Sequence, residues 1–107
     1  MIRVPIDKFS YKEIPWQEIL YCEYKERRVY IHTREDIYQL KKGIRAFAEC
    51  VKNECLRMPH QSFLVNMQHI CNIQKYEITL DNGELIPLSQ KRSATFRKDY
   101  REFRSIA

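Results

Sequence analysis

The chain has 107 residues, 44% of them hydrophobic and 31% charged, with a formal net charge of +5. That length fits one domain spanning 1–107, and the apolar fraction is too high for simple disorder. Two glycines and four prolines exclude a flexible linker, and no apolar run approaches the length that crosses a bilayer.

A domain of this size buries roughly 65% of the surface its unfolded chain exposes, so a core is expected without disulfides. The start, Met1-Ile2-Arg3-Val4-Pro5-Ile6-Asp7-Lys8, lacks the apolar stretch of a signal peptide, which makes the cytoplasm the expected location. The four cysteines then read as reduced thiols. Charge is uneven: residues 91–107 hold Lys91, Arg92, Arg97, Lys98, Arg101 and Arg104 against Asp99 and Glu102, and the rest of the chain is nearly neutral. A basic end suggests an anionic partner there. An ordinary solvated helix face has the same composition, and charge alone does not separate the two.

Val4 and Ile6 alternate with polar neighbours as in a half-buried strand, within a segment that runs on through Phe9 and Tyr11 to Ile14. Pro15-Trp16-Gln17-Glu18-Ile19 predicts a one-turn helix, with Trp16 in the core. Ile19–Cys22 and Arg28–His32 read as two strands around the charged tip Lys25-Glu26-Arg27, with Val29 and Ile31 on one side and Tyr30 and His32 on the other. Such a tip carries Lys25, Arg27 and Arg28 to where they could reach phosphates; a solvated hairpin end is the ordinary alternative. Ile37, Tyr38 and Leu40 suggest a further short strand.

Leu40, Ile44, Phe47 and Val51 then recur at spacings of four, three and four, which predicts a helix from about Lys41 to Asn53, weakened by Gly43, with Asn53 and Pro59 bracketing its exit. Extended pattern returns at Ile70–Ile73 and Tyr76–Leu80. Asp81-Asn82-Gly83 is the clearest turn, where Asn-Gly favours the positive φ angles of a tight hairpin. Glu84–Leu88 is the return strand, with Pro87 at its end or on an edge. Ser89 is placed to cap a last helix carrying Phe96, Tyr100 and Phe103 on one face.

The least ordinary stretch is Arg57 to Ile70. The polar cluster His60-Gln61-Ser62 abuts the apolar run Phe63-Leu64-Val65, and Pro59 restricts its entry. Polar groups between buried segments present donors and acceptors on a rigid base. Catalysis is a poor reading, because His60 and Ser62 are too close to imply a pair and no nucleophile elbow or phosphate loop exists. Cys50 and Cys55 lack a second pair of metal ligands; Cys22, Cys50 and Cys71 are expected to pack. No cofactor is expected. A module binding RNA or a protein is the alternative, since seven tyrosines and a basic edge would allow base stacking, although RNA-recognition signatures are absent.

Taken in order, Pro59-His60-Gln61-Ser62-Phe63-Leu64-Val65-Asn66, His69-Ile70, the Asn82-Gly83 hairpin and Ile86-Pro87-Leu88-Ser89 resemble the LytTR family of bacterial DNA-binding domains. Ile19-Leu20-Tyr21-Cys22-Glu23-Tyr24, followed by basic residues and a Tyr-Ile-His strand, resembles that family's opening hairpin. The resemblance implies a mainly β fold of antiparallel sheets, with one mid-chain helix and a C-terminal helix, that reads double-stranded DNA with loops. It implies a transcriptional regulator or the output domain of a two-component response regulator, acting at promoter direct repeats that it bends, as a dimer on DNA. An upstream receiver domain or a sensor kinase partner would go with that role.

By the same resemblance three regions contact DNA: Lys25, Arg27 and Arg28 at the first tip, the His60-Gln61-Ser62 turn, and the segment Ser89-Gln90-Lys91-Arg92. Lys91 or Arg92 can donate to guanine O6 and N7, and Gln61 can pair with adenine N6 and N7. His60 can donate to a phosphate or base acceptor, Ser62 lets a phosphate approach, and the tip cations fix register on the backbone. Asn66 is assigned a structural role, bonding loop backbone that would otherwise be unsatisfied. The chain departs from the pattern at Gln61, often Arg or Asn in the family, at Pro59, sometimes Cys, and after Ser89, where the family often begins with Arg. The target sequence is therefore not carried over.

Overall fold

The computed structural model describes residues 1–5, 8–52 and 54–106. In chain order the elements are β1 (Ile2–Pro5), β2 (Tyr11–Ile14), a 3-10 turn (Trp16–Glu18), β3 (Ile19–Lys25), β4 (Arg28–Thr33), β5 (Ile37–Leu40) and α1 (Ile44–Cys50). Then follow β6 (Leu56–His60), β7 (Phe63–Asn66), a second 3-10 turn (Met67–His69), β8 (Ile70–Gln74), β9 (Glu77–Leu80), β10 (Leu85–Pro87) and α2 (Ser93–Ile106). The fold is mostly antiparallel β with two helices, as expected.

Ile19, Leu20, Tyr21 and Cys22 are consecutive and all buried. Successive strand side chains point to opposite faces, so this is possible only where a sheet is covered on both sides. β3 is the middle strand of a five-stranded sheet ordered β5-β4-β3-β7-β6. On one face Cys22, Val29, Ile31 and Leu64 meet α1 through Ile44 and Phe47, and the β1–β2 ribbon through Val4 and Ile14. On the other, Tyr21 and Val65 meet a three-stranded sheet ordered β10-β9-β8 through Ile78, Leu80 and Ile86, and α2 through Phe96. No helix among the described residues is long and apolar enough to cross a membrane.

Several local expectations shift. α1 starts at Ile44, with Gly43 as its extended N-cap, and Val51 caps its end. Leu40 and Val51 share the core with Ile44 and Phe47 but belong to β5 and to the cap, so the helical spacing overran the helix on both sides. Asn53 and Ile6 lie outside the described residues. Pro59 sits inside a strand, β6, that the sequence did not announce. β6 is an edge strand whose pairing with β7 shifts register between Arg57 and His60, the setting in which a missing N–H costs no ladder bond.

The β9–β10 loop has positive φ only at Gly83 (90°). Gly83 N–H donates to the Leu80 carbonyl and Leu80 N–H to the Glu84 carbonyl, the three-residue loop with a left-handed last position rather than a two-residue Asn-Gly turn. Ser89 caps a turn ahead of the last helix: its Oγ accepts from the Arg92 N–H at 3.2 Å, and α2 proper begins at Ser93. Trp16 is half-buried, and Cys50 and Cys71 are exposed rather than packed; Cys22 is buried.

Asn66 is fully buried. Its amide nitrogen donates to the carbonyls of Trp16 (3.1 Å) and Ile19 (2.9 Å), and its oxygen accepts from the Gln68 N–H (3.0 Å). It thus saturates the backbone where two 3-10 turns meet, which is the structural role read for it.

Candidate nucleic-acid interface

The sheet register brings the first two candidate regions together. β3 pairs with β7 so that Glu23 faces Phe63, and one step further the Tyr24 N–H donates to the Ser62 carbonyl at 2.8 Å. The β3–β4 tip and the β6–β7 tip therefore emerge side by side. The third region joins them through the Ser89 N–H, which donates to the Pro59 carbonyl at 2.8 Å. Lys25, Arg27, Arg28, His60, Gln61, Ser62, Ser89, Gln90, Lys91 and Arg92 thus fall along one edge, set by backbone bonds rather than by flexible side chains.

Each tip has its own local reason. In the β3–β4 turn Glu26 and Arg27 both take positive φ (52° and 67°), and Lys25 pairs with Arg28 as the last rung. This is the two-residue hairpin conformation that asparagine and glycine favour, held here by residues that carry charge. Lys25, Arg27 and Arg28 are exposed, and Arg28 leans toward β5 through a 3.4 Å bond from its guanidinium to Gln39 Oε1.

At the second tip Gln61 is exposed, and His60 and Ser62 are half-buried. His60 Nδ1 accepts the Ser62 N–H at 3.1 Å, and the ring meets Phe63 edge-on with centroids 5.7 Å apart. That bond occupies Nδ1 as an acceptor, so the Nε2–H is the donor left to a ligand. It also means that His60 Nδ1 faces the backbone of Ser62 and not its hydroxyl, which is not the arrangement of a base with its nucleophile.

Behind His60 runs an aromatic row across the sheet. Phe63 meets Tyr21 at 6.2 Å, and Tyr21 stacks on His32 at 4.2 Å with the rings 8° from parallel. His32 Nε2 lies 3.1 Å from Glu23 Oε1. Burial, with the Glu84 and Glu23 carboxylates adding to it, pushes the Tyr21 hydroxyl up to about 12, so it stays protonated.

In the third region Gln90 and Lys91 are exposed, Ser89 and Arg92 half-buried. Gln90 Nε2 donates to the Tyr76 hydroxyl at 3.4 Å, and the Leu88 N–H donates to the Tyr76 carbonyl at 2.8 Å. The Lys75-Tyr76 turn therefore joins the edge, with Lys75 exposed in a left-handed conformation (φ 51°). Lys41 joins it too: Val29 pairs with Leu40, so the next residue stands at the level of Arg28. Sequence reasoning missed Lys41, Lys75 and Tyr76. Each adjoins a predicted strand or turn, but only the pairing says at which end of which sheet it lies.

Arg57, the first residue of the unusual stretch, is engaged elsewhere. Its guanidinium donates to the carbonyls of Lys52, Glu54 and Leu56 at 2.8–3.0 Å and lies 3.6 Å from Asp99. No group of three or more His, Cys, Asp or Glu able to hold a metal exists among the described residues. A cavity of about 630 Å³ lies between the β1–β2 ribbon and α1 and is lined by Ile2, Phe47 and Val51 among others. None of the ten candidate residues lines it.

No protein of curated function matches the chain. Among solved structures it is similar to the LytTr DNA-binding domain of a Bacillus cereus protein described as a methyl-accepting/DNA response regulator. The two share 25% identity over 92% of this chain and 94% of that one, with a TM-score of 0.79. The family model of the LytTr DNA-binding domain matches residues 10–101, from the start of β2 into α2 and across every turn of the edge. The chain belongs to the LytTr DNA-binding domain family.

Proposed function

We propose that this chain binds duplex DNA sequence-specifically through the edge formed by the three tips, and that transcriptional regulation is its output. The observation that carries the proposal is the pair of backbone bonds, Tyr24 to Ser62 and Ser89 to Pro59, that locks three polar tips into one cationic row. Preorganised donors lose little conformational entropy on binding, which favours defined base contacts over diffuse attraction. Lys25, Arg27, Arg28 and Lys41 are assigned to phosphates, where they set register without reading sequence. Gln61 is assigned to adenine N6 and N7, Lys91 or Arg92 to guanine O6 and N7, and His60 to an acceptor through its Nε2–H. Residues 1–107 act as one unit in this reading, which works in the cytoplasm on promoter direct repeats, with two copies side by side and a receiver domain or sensor kinase upstream.

Selection of binding sites from a random duplex library tests the proposal. Enrichment of a defined motif, arranged as a direct repeat, is expected. Gln61→Ala and Lys91→Ala should each cost roughly 1–3 kcal/mol on that motif and less on random DNA. Binding without enrichment, or unchanged specific affinity in both variants, refutes the base-reading assignment.

A further inference from the structure

One cationic feature lies outside the edge. α2 places Arg97, Arg101 and Arg104 at spacings of four and three, on one stripe of the helix, while Asp99 and Glu102 fall on the opposite side. Asp99 is turned toward Arg57 at 3.6 Å. The three arginines thus share one stripe free of carboxylates, while Lys98 stands off it between Arg101 and Glu102.

The stripe overhangs β8, an edge strand of its sheet. A groove of about 250 Å³ between them is lined by Asn72, Ile73, Arg97, Tyr100, Arg101 and Arg104, with no carboxylate among its described lining residues. Two of the arginines are held in place. Arg97 donates to Ser93 Oγ at 3.1 Å and to the Lys75 carbonyl, and the Arg104 guanidinium lies 5.8 Å from the centre of the Tyr100 ring. Arg101 is exposed and has no hydrogen-bond or ion-pair partner among the described residues. The Tyr100 hydroxyl reaches the Ile70 carbonyl at 3.5 Å. Ile70 is the end of β8 far from the Lys75 turn, about 15 Å away along the strand. The stripe therefore starts at the edge and leads off along the flank for about 10 Å.

We propose that this stripe docks an acidic segment of a partner protein, one in which carboxylates flank an apolar side chain. Three guanidiniums match carboxylates in fork geometry. Tyr100 and Ile73 supply an apolar floor, and a tyrosine set among arginines is the composition that interface centres favour. The position on the flank leaves the stripe open while a duplex occupies the edge; that clause rests on the DNA-binding reading above, and the charge and shape argument does not.

The test is fluorescence anisotropy with a labelled peptide of Glu-Leu-Glu repeats, at low salt, on the whole chain with and without the selected duplex. Saturable binding is expected, at least about tenfold weaker for the Arg101→Glu/Arg104→Glu variant and for a Gln-Leu-Gln peptide. It is expected to be undiminished by the duplex. Circular dichroism on the variant separates lost docking from lost folding, and Lys98→Glu, on the same helix off the stripe, should bind normally. No saturable binding, or equal binding by the charge-reversed chain, overturns the proposal. Displacement of the peptide by duplex, or loss of DNA affinity in the charge-reversed variant, overturns it in favour of a track for the DNA backbone. The measurement without duplex reads the stripe even if the edge selects no DNA motif.

Discussion

Asn66→Ala should destabilise this protein more than any surface change at the edge, and the size follows from its three bonds. The substitution leaves the Ile19 carbonyl buried without this donor and removes a partner from the part-buried Trp16 carbonyl and Gln68 N–H. An orphaned buried group costs about 1–3 kcal/mol, and the two less buried groups about 1 kcal/mol each. The total, about 3–5 kcal/mol, is a large fraction of the roughly 5–15 kcal/mol that holds a small domain folded. Urea denaturation followed by tryptophan fluorescence reads it directly, since Trp16 carries one of the acceptors. The midpoint should fall with the slope unchanged, and Tm should drop by about 15–30 °C. Asn66→Asp restores the acceptor for Gln68 but supplies no donor, so it should not rescue. A loss below about 1 kcal/mol would refute the reasoning, because water would then be replacing the amide at a site that has been read as closed.

Three further outcomes follow from particular residues. Replacing Glu26 and Arg27 by Asn and Gly puts the favoured residues on the positive-φ positions and should raise stability by about 1–2 kcal/mol while weakening DNA affinity through the loss of Arg27; an unchanged denaturation midpoint would show that the tip carries no conformational cost. Lys25→Ala and Lys41→Ala should each weaken binding to all sequences alike and flatten the log–log salt dependence by about one, from a starting slope near −5 expected for about six phosphate contacts; a Lys41→Ala slope equal to that of the parent would remove Lys41 from the phosphate contacts. Burial pushes the Asp81 carboxyl up, but hydrogen bonds and charge from His69 at 3.0 Å and Arg34 at 2.9 Å outweigh it and hold it below the usual carboxylate range. A lowered folded pKa gives stability that is complete at neutral pH and lost as pH falls through the unfolded and then the folded value. Denaturation from about pH 5 downward should therefore show a shallower acid loss for Asp81→Asn than for the parent, and parallel curves would contradict it.

The hairpins were legible because turn chemistry and alternation are local signals. Val29 and Ile31 are buried while Tyr30 and His32 are half-buried, as their alternation implied. The face of α2 was legible as well, since Phe96 is buried and Tyr100 and Phe103 pack against the same core. β6 was not legible. Leu56-Arg57-Met58-Pro59-His60 has no clean alternation and contains a proline, and it is a strand only because β7 pairs with it. Helical periodicity overextends α1 because it reports which residues share a core and not which backbone carries them.

The candidate site divides along the same line. Residue types decided the chemistry by themselves: cations at one tip, an amide and an imidazole at the next, a lysine and an arginine before the last helix. They did so because hydrogen-bonding capacity and charge are properties of the side chain alone. Only the tertiary structure decided that these tips form one edge, that Lys41 and Lys75 belong to it, and that the Arg57 guanidinium is tied to the Lys52, Glu54 and Leu56 carbonyls. Those facts depend on which strands pair and in what register, and register is settled by burying both faces of the five-stranded sheet at once.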